Sequence, residues 1–112
     1  MSCWTHITAC FSVDTGIIAK KAEVLKRVKS YLKTAPKITG SESDADIFVN
    51  VQKGYDVFGS GGKFQTRVVI SIQGDLRDRM YDQTKEEFDE FLKYIKDKYY
   101  VRDYSVNIER DY

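Results

Sequence analysis

Residues 4–16 read WTHITACFSVDTG, and the reading of this stretch decides the fold. At the period-two spacing of a strand, Ile7, Ala9, Phe11 and Val13 share one face. Trp4, His6, Thr8, Cys10 and Ser12 share the other. The first set is apolar and belongs against a core. The second mixes an indole, an imidazole, hydroxyls and a thiol. A strand with one such face fits an antiparallel sheet covered by helices on one side only. The uncovered side is then either solvated or a surface that binds something. Asp14 or Thr15 is expected to cap the following helix by accepting its first free N–H groups.

Beyond that strand, Ile18, Ala22, Leu25, Val28 and Leu32 recur at helical spacing and predict a helix over 17–33. Pro36 ends it, because a proline disfavours helix at the residue before it. Its outer surface is basic: Lys20, Lys21, Lys26, Arg27, Lys29 and Lys33 against Glu23. Gly40 to Asp44 is a loop signal. Ile47, Val49 and Val51 then alternate with Phe48, Asn50 and Gln52, a second strand. Residues 54–63, GYDVFGSGGK, connect it to a third, in which Val68, Ile70 and Ile72 alternate with Arg67, Val69, Ser71 and Gln73. The spacing predicts a long hairpin. Residues 74–78, GDLRD, are expected to break the third strand, with Gly74 letting the chain leave it and Asp75 capping free N–H groups. Thr84 and Glu87 form the expected capping box of a second helix over 84–99, cored by Phe88, Phe91, Leu92 and Ile95. Tyr104, Val106 and Ile108 mark a last strand.

The order βαββαβ predicts one α+β domain over 1–112, ferredoxin-like, with strand order 4-1-3-2. Its four-stranded antiparallel sheet would carry two helices on one face. Trp4, His6 and Arg67 would stand on the middle of the open face, with Phe48 beside them. At one end, the same topology is expected to gather Asp14, Thr15, Ser41 to Asp44, Asp75 to Asp78 and both helix N-termini.

With 112 residues, 42% hydrophobic and 31% charged, the chain has the composition of a globular domain. Its net charge of +1 gives no general pull toward nucleic acid. No apolar run nears the ~20 residues of a membrane span, and no secretory leader is expected. Cys3 and Cys10 fall on opposite strand faces and do not bridge each other, which suits a reducing cytoplasm.

The chemistry-bearing patterns are thin. His6, the single histidine, is four residues from Cys10, too far to share a metal ion or to form a Cys–His nucleophile pair. Residues 59–63, GSGGK, lie between two strands and precede Phe64, which does not match a phosphate loop. A two-metal palm needs carboxylates on the first strand and hairpin turn, and the turn offers only Asp56. No catalytic residue, metal or cofactor is expected, and the protein reads as a non-enzyme. RNA-recognition domains share the topology, and Trp4 would stack a base there. Val69 and Ser71 nevertheless stand where further stacking residues belong. RNA binding on the open face is kept as a third reading.

Three stretches together, Trp4-Thr5-His6, Gly40-Ser41-Glu42 and Gly74-Asp75-Leu76-Arg77-Asp78, resemble a group of small, uncharacterised bacteriophage proteins. Ser43 stands where that group has a second glycine. The resemblance implies a phage origin and action in the host cytoplasm, and small phage proteins of this kind often inhibit or redirect a host protein. The leading expectation is therefore a phage accessory protein that modulates a host defence or regulatory protein through Trp4, His6, Phe48, Arg67, Tyr55 and Phe58. The alternative is a nucleotide-like or other anionic ligand held by Thr15, Ser41, Glu42, Asp75 and Arg77, or a structural pairing of Arg77 with Glu42. A homodimer through the open face is a further expectation.

Overall fold

A computed structural model of the chain describes residues 3–14, 18–19, 21–56 and 64–111. Its elements are β1 (Trp4–Asp14), β2 (Ile18–Ala19), α1 (Lys21–Leu32), β3 (Asp46–Asp56), β4 (Phe64–Arg77), α2 (Tyr81–Lys96) and β5 (Tyr100–Asp111). β1 pairs antiparallel with β4 on one side and β5 on the other, and β3 pairs antiparallel with β4. The long strands lie in the order β3-β4-β1-β5. The fold is α+β, an open antiparallel sheet of four long strands with two helices. The two-residue β2 adds a short rung to β4.

Alternation in β1 does what its sequence implies. Ile7, Ala9, Phe11 and Val13 are buried, as are Val68, Ile70 and Ile72 opposite them on β4. Val24 and Val28 of α1 and Phe88, Phe91 and Ile95 of α2 join the same cluster. Phe11 and Phe91 meet edge to face at 6.3 Å. The helices touch through stacked rings of Tyr31 and Tyr94, 4.3 Å apart, so both cover one side of the sheet. Each large buried side chain contributes roughly 1.5–3 kcal/mol.

Several local expectations are corrected. The first helix begins at Lys21, because Ile18 and Ala19 instead pair with Gln65 and Phe64. β4 extends past the last rung it shares with β1, and strand backbone groups there need hydrogen-bond partners, which Ile18 and Ala19 supply by pairing. Asp14 ends β1, seven residues before α1 begins, and accepts a hydrogen bond from Arg102 at 3.3 Å. Thr15 lies outside the described residues.

GDLRD does not break the strand. β4 runs through Gly74, Asp75 and Leu76 to Arg77, with Trp4 to Ile7 as partners. Leu76 is fully buried, so the stretch keeps strand alternation beneath its polar composition. Gly74 serves close approach instead: a Cβ there would stand 2.9 Å from Ala45. Asp75 therefore sits within a ladder and caps no helix.

α2 begins at Tyr81, three residues before the expected start, and its first turn is closed by Gln83, whose Oε1 accepts the Met80 N–H at 2.9 Å. Thr84 is buried, and Glu87 accepts hydrogen bonds from Thr39. β5 begins at Tyr100 and bulges between its pairings with Cys10 and Ser12, where Asp103 takes a φ of 46°. Tyr104 belongs to this strand, as its sequence implies, and is 56% exposed.

The register also overturns the expected gathering at one end. Trp4 pairs with Arg77, whereas Asp14 pairs with Tyr100. Ten strand residues separate the two levels, about 33 Å. Asp14 and the start of α1 belong to one end of the sheet, and residues 41–44, 75–78 and the start of α2 belong to the other.

Candidate functional site

The side of the sheet away from the helices is built in rows. Cys10 pairs with Ser71 on one side and Ser105 on the other, and Ser71 pairs in turn with Phe48. This row crosses the sheet without a charge. Phe48 is 54% exposed at its β3 end, and Cys10 is exposed at its middle. The flanking row toward the end of β1 holds Arg102, Ser12, Val69 and Asn50. The flanking row toward its start holds Asn107, Thr8, Gln73 and Asp46. No described helix or strand packs over these rows.

The two ends of the face differ in charge. Beyond Ser12 stands Arg67, exposed, whose guanidinium donates to Ser12 Oγ at 3.1 Å. Beyond Thr8, His6 lies between Asp75 and Glu109. His6 Nδ1 is 2.6 Å from Asp75 Oδ1, and the Asp75 side chain is still 74% exposed. Trp4, next along, is half-buried.

A second cluster joins the 38–45 loop to the end of β4. Arg77 forms an ion pair with Glu42, as the sequence suggested. The Ser41 N–H donates to the Arg77 carbonyl at 3.0 Å, and its hydroxyl donates to Asp78 Oδ2 at 3.0 Å. Thr39 gives both its N–H and its hydroxyl to Glu87, at 2.6 and 2.7 Å. Arg79 Nε donates to Thr39 Oγ1 at 3.2 Å. These hydrogen bonds hold a loop, two strand ends and a helix together, and the polar groups of Ser41 and Arg77 have protein partners.

Of the expected partner-binding residues, the sheet brings Trp4, His6, Phe48 and Arg67 onto one face. Tyr55 belongs to β3, and Phe58 lies outside the described residues. Of the expected ligand residues, Ser41, Glu42, Asp75 and Arg77 share one end, but Asp75 is drawn to His6. Sequence reasoning missed the Thr39–Glu87 clasp and the Gln83 cap, because both depend on where the loop and helix meet. Among the described residues no three His, Cys, Asp or Glu side chains converge as metal ligands. Among the same residues no helix is long and apolar enough to cross a membrane. No protein-family model, curated protein or solved structure matches the chain.

Proposed function

We propose that this protein acts by binding rather than catalysis, docking another protein against its open sheet face. In the fuller reading it is a phage accessory protein that modulates a host defence or regulatory component in the host cytoplasm. The observation that carries the docking reading is the uncharged row from Phe48 to Ser105, with an exposed phenyl ring at one end and charge only toward the margins. Protein interfaces are depleted of charge at the centre and enriched in aromatic residues. The arrangement is proposed as ferredoxin-like, with the β3-β4-β1-β5 order in its support and β2 as an addition to the plain pattern.

Affinity capture from host lysate, run in parallel with the wild type and Phe48→Asp, tests this. The docking reading expects a protein held at near-equal stoichiometry by the wild type and lost by the variant. Retention of the same proteins by Phe48→Asp overturns it. The anion-site alternative at Ser41, Glu42, Asp75 and Arg77 is weaker, since Glu42 and Asp78 already engage Arg77 and Ser41. RNA binding ranks below both, because Trp4 stands level with Arg77, whereas Val69 and Ser71, level with Ser12 and Cys10, offer no stacking surface.

A further inference from the structure

Resting on the reading of the open face as a docking surface, we infer that this face is self-complementary and that a second copy of the chain covers it as a two-fold dimer. Arg67, Ser71 and Asp75 all stand on the open side of β4, and Arg67 and Asp75 are each four residues from Ser71. Ser71 belongs to the uncharged row with Ser105, Cys10 and Phe48. A two-fold axis laid along that row, across the strands, reverses strand direction between the copies. It sets Arg67 of one copy over Asp75 of the second, and the symmetry repeats the pair.

An axis parallel to the strands would instead set the acidic end, Asp75 and Glu109, over itself. Charge therefore selects the crosswise axis. Such an interface is isologous, each residue meeting the same set from the other side. Phe48 meets Phe48, and Cys10 meets Cys10. Four strands at about 4.8 Å spacing and about 33 Å length give a face of roughly 600 Å² per copy. The total of about 1,200 Å² reaches the lower bound of standard stable interfaces.

Light scattering at about 100 μM, well above a micromolar dissociation constant, should give twice the 13.0 kDa chain mass. Arg67→Asp and Asp75→Arg should each weaken self-association about tenfold, and the double exchange should restore it, as expected for a charge pair across an interface. Copper phenanthroline, as an added oxidant taking two electrons while two protons leave two thiols, should give a covalent dimer through Cys10. Cys3→Ser should form it equally, and Cys10→Ser should not. A monomer mass with no Cys10-linked species overturns the dimer, as does wild-type association in both single charge variants. If the chain is monomeric and Phe48→Asp still releases a captured protein, the dimer falls and the docking of another protein stands. If the dimer forms while capture is indifferent to Phe48→Asp, the dimer stands and that docking falls.

Discussion

At the residue scale, Thr84 shows how a small group can be a liability. Its hydroxyl oxygen is buried in α2 without a hydrogen-bond partner among the described residues. Valine has the same shape without the oxygen. Thr84→Val should leave stability unchanged or raise it by about 1 kcal/mol in urea unfolding, since a buried unsatisfied hydroxyl is costly. A loss larger than that would mean the hydroxyl is satisfied. Gly74 carries the opposite expectation. Its missing Cβ is the space that Ala45 uses, and the close atoms are the Cα of Ala45 and the short Cβ fixed to it, neither of which can swing aside. Gly74→Ala should cost about 1–3 kcal/mol by overpacking, read as a lowered thermal midpoint. Arg77 and Glu42 are both substantially exposed. Arg77→Lys and Glu42→Gln should each cost about 1 kcal/mol or less. Loss of ligand binding with stability intact in either variant would restore that cluster as a site.

At the element scale, the two helices are clasped by phenols. The Tyr31 hydroxyl donates to the Tyr94 carbonyl at 2.6 Å, and the Tyr94 hydroxyl donates to the Tyr31 carbonyl at 2.9 Å. Burial, with Tyr94 and Asp97 nearby, pushes the Tyr31 phenol above its ordinary value of 10.0, and burial does the same for Tyr99. The folded chain thus holds these protons more tightly than the unfolded one. Their contribution is fully present below pH 10.0 and is lost as pH rises through the raised values. Stability followed by circular dichroism should fall above that pH, and Tyr31→Phe should flatten the fall. Element types were legible in the chain because core strands and helices repeat at fixed periods. Helix starts and the end of β4 were not. Gly74 and Asp75 resemble a turn in any local reading, and only β1 lying alongside makes them strand. Likewise Ile18 fits a helical stripe until β4 offers it a ladder. The face shared by Trp4, His6, Phe48 and Arg67 followed from alternation and topology. The meeting of Glu87 with Thr39 depends on a loop path that no period encodes.

At the scale of the whole molecule, the long strands set the proportions. The chain measures 60 × 23 × 19 Å with a radius of gyration of 15.9 Å, against about 13 Å for a compact domain of this length. A face-to-face dimer thickens the shortest dimension and leaves the longest close to 60 Å. Small-angle scattering should therefore show doubled mass with little change in maximum dimension. Growth of that dimension toward double would indicate end-to-end contact instead.

The central place of β1 also bears on how the chain acquires its structure. Its two neighbours are β4 and β5, and Trp4 comes to rest beside both Arg77 and Asp111. Nearly the whole chain must be gathered before β1 is hydrogen-bonded on both sides. Such distant pairings make the search for the native register slower than in a helical bundle of similar size. During synthesis, an emerging chain that has released β1 through α2 still presents one bare edge of its central strand, with the apolar row of Ile7, Ala9, Phe11 and Val13 beside it. The vulnerable interval in the life of this protein is thus its birth, when that edge can template association with other nascent chains.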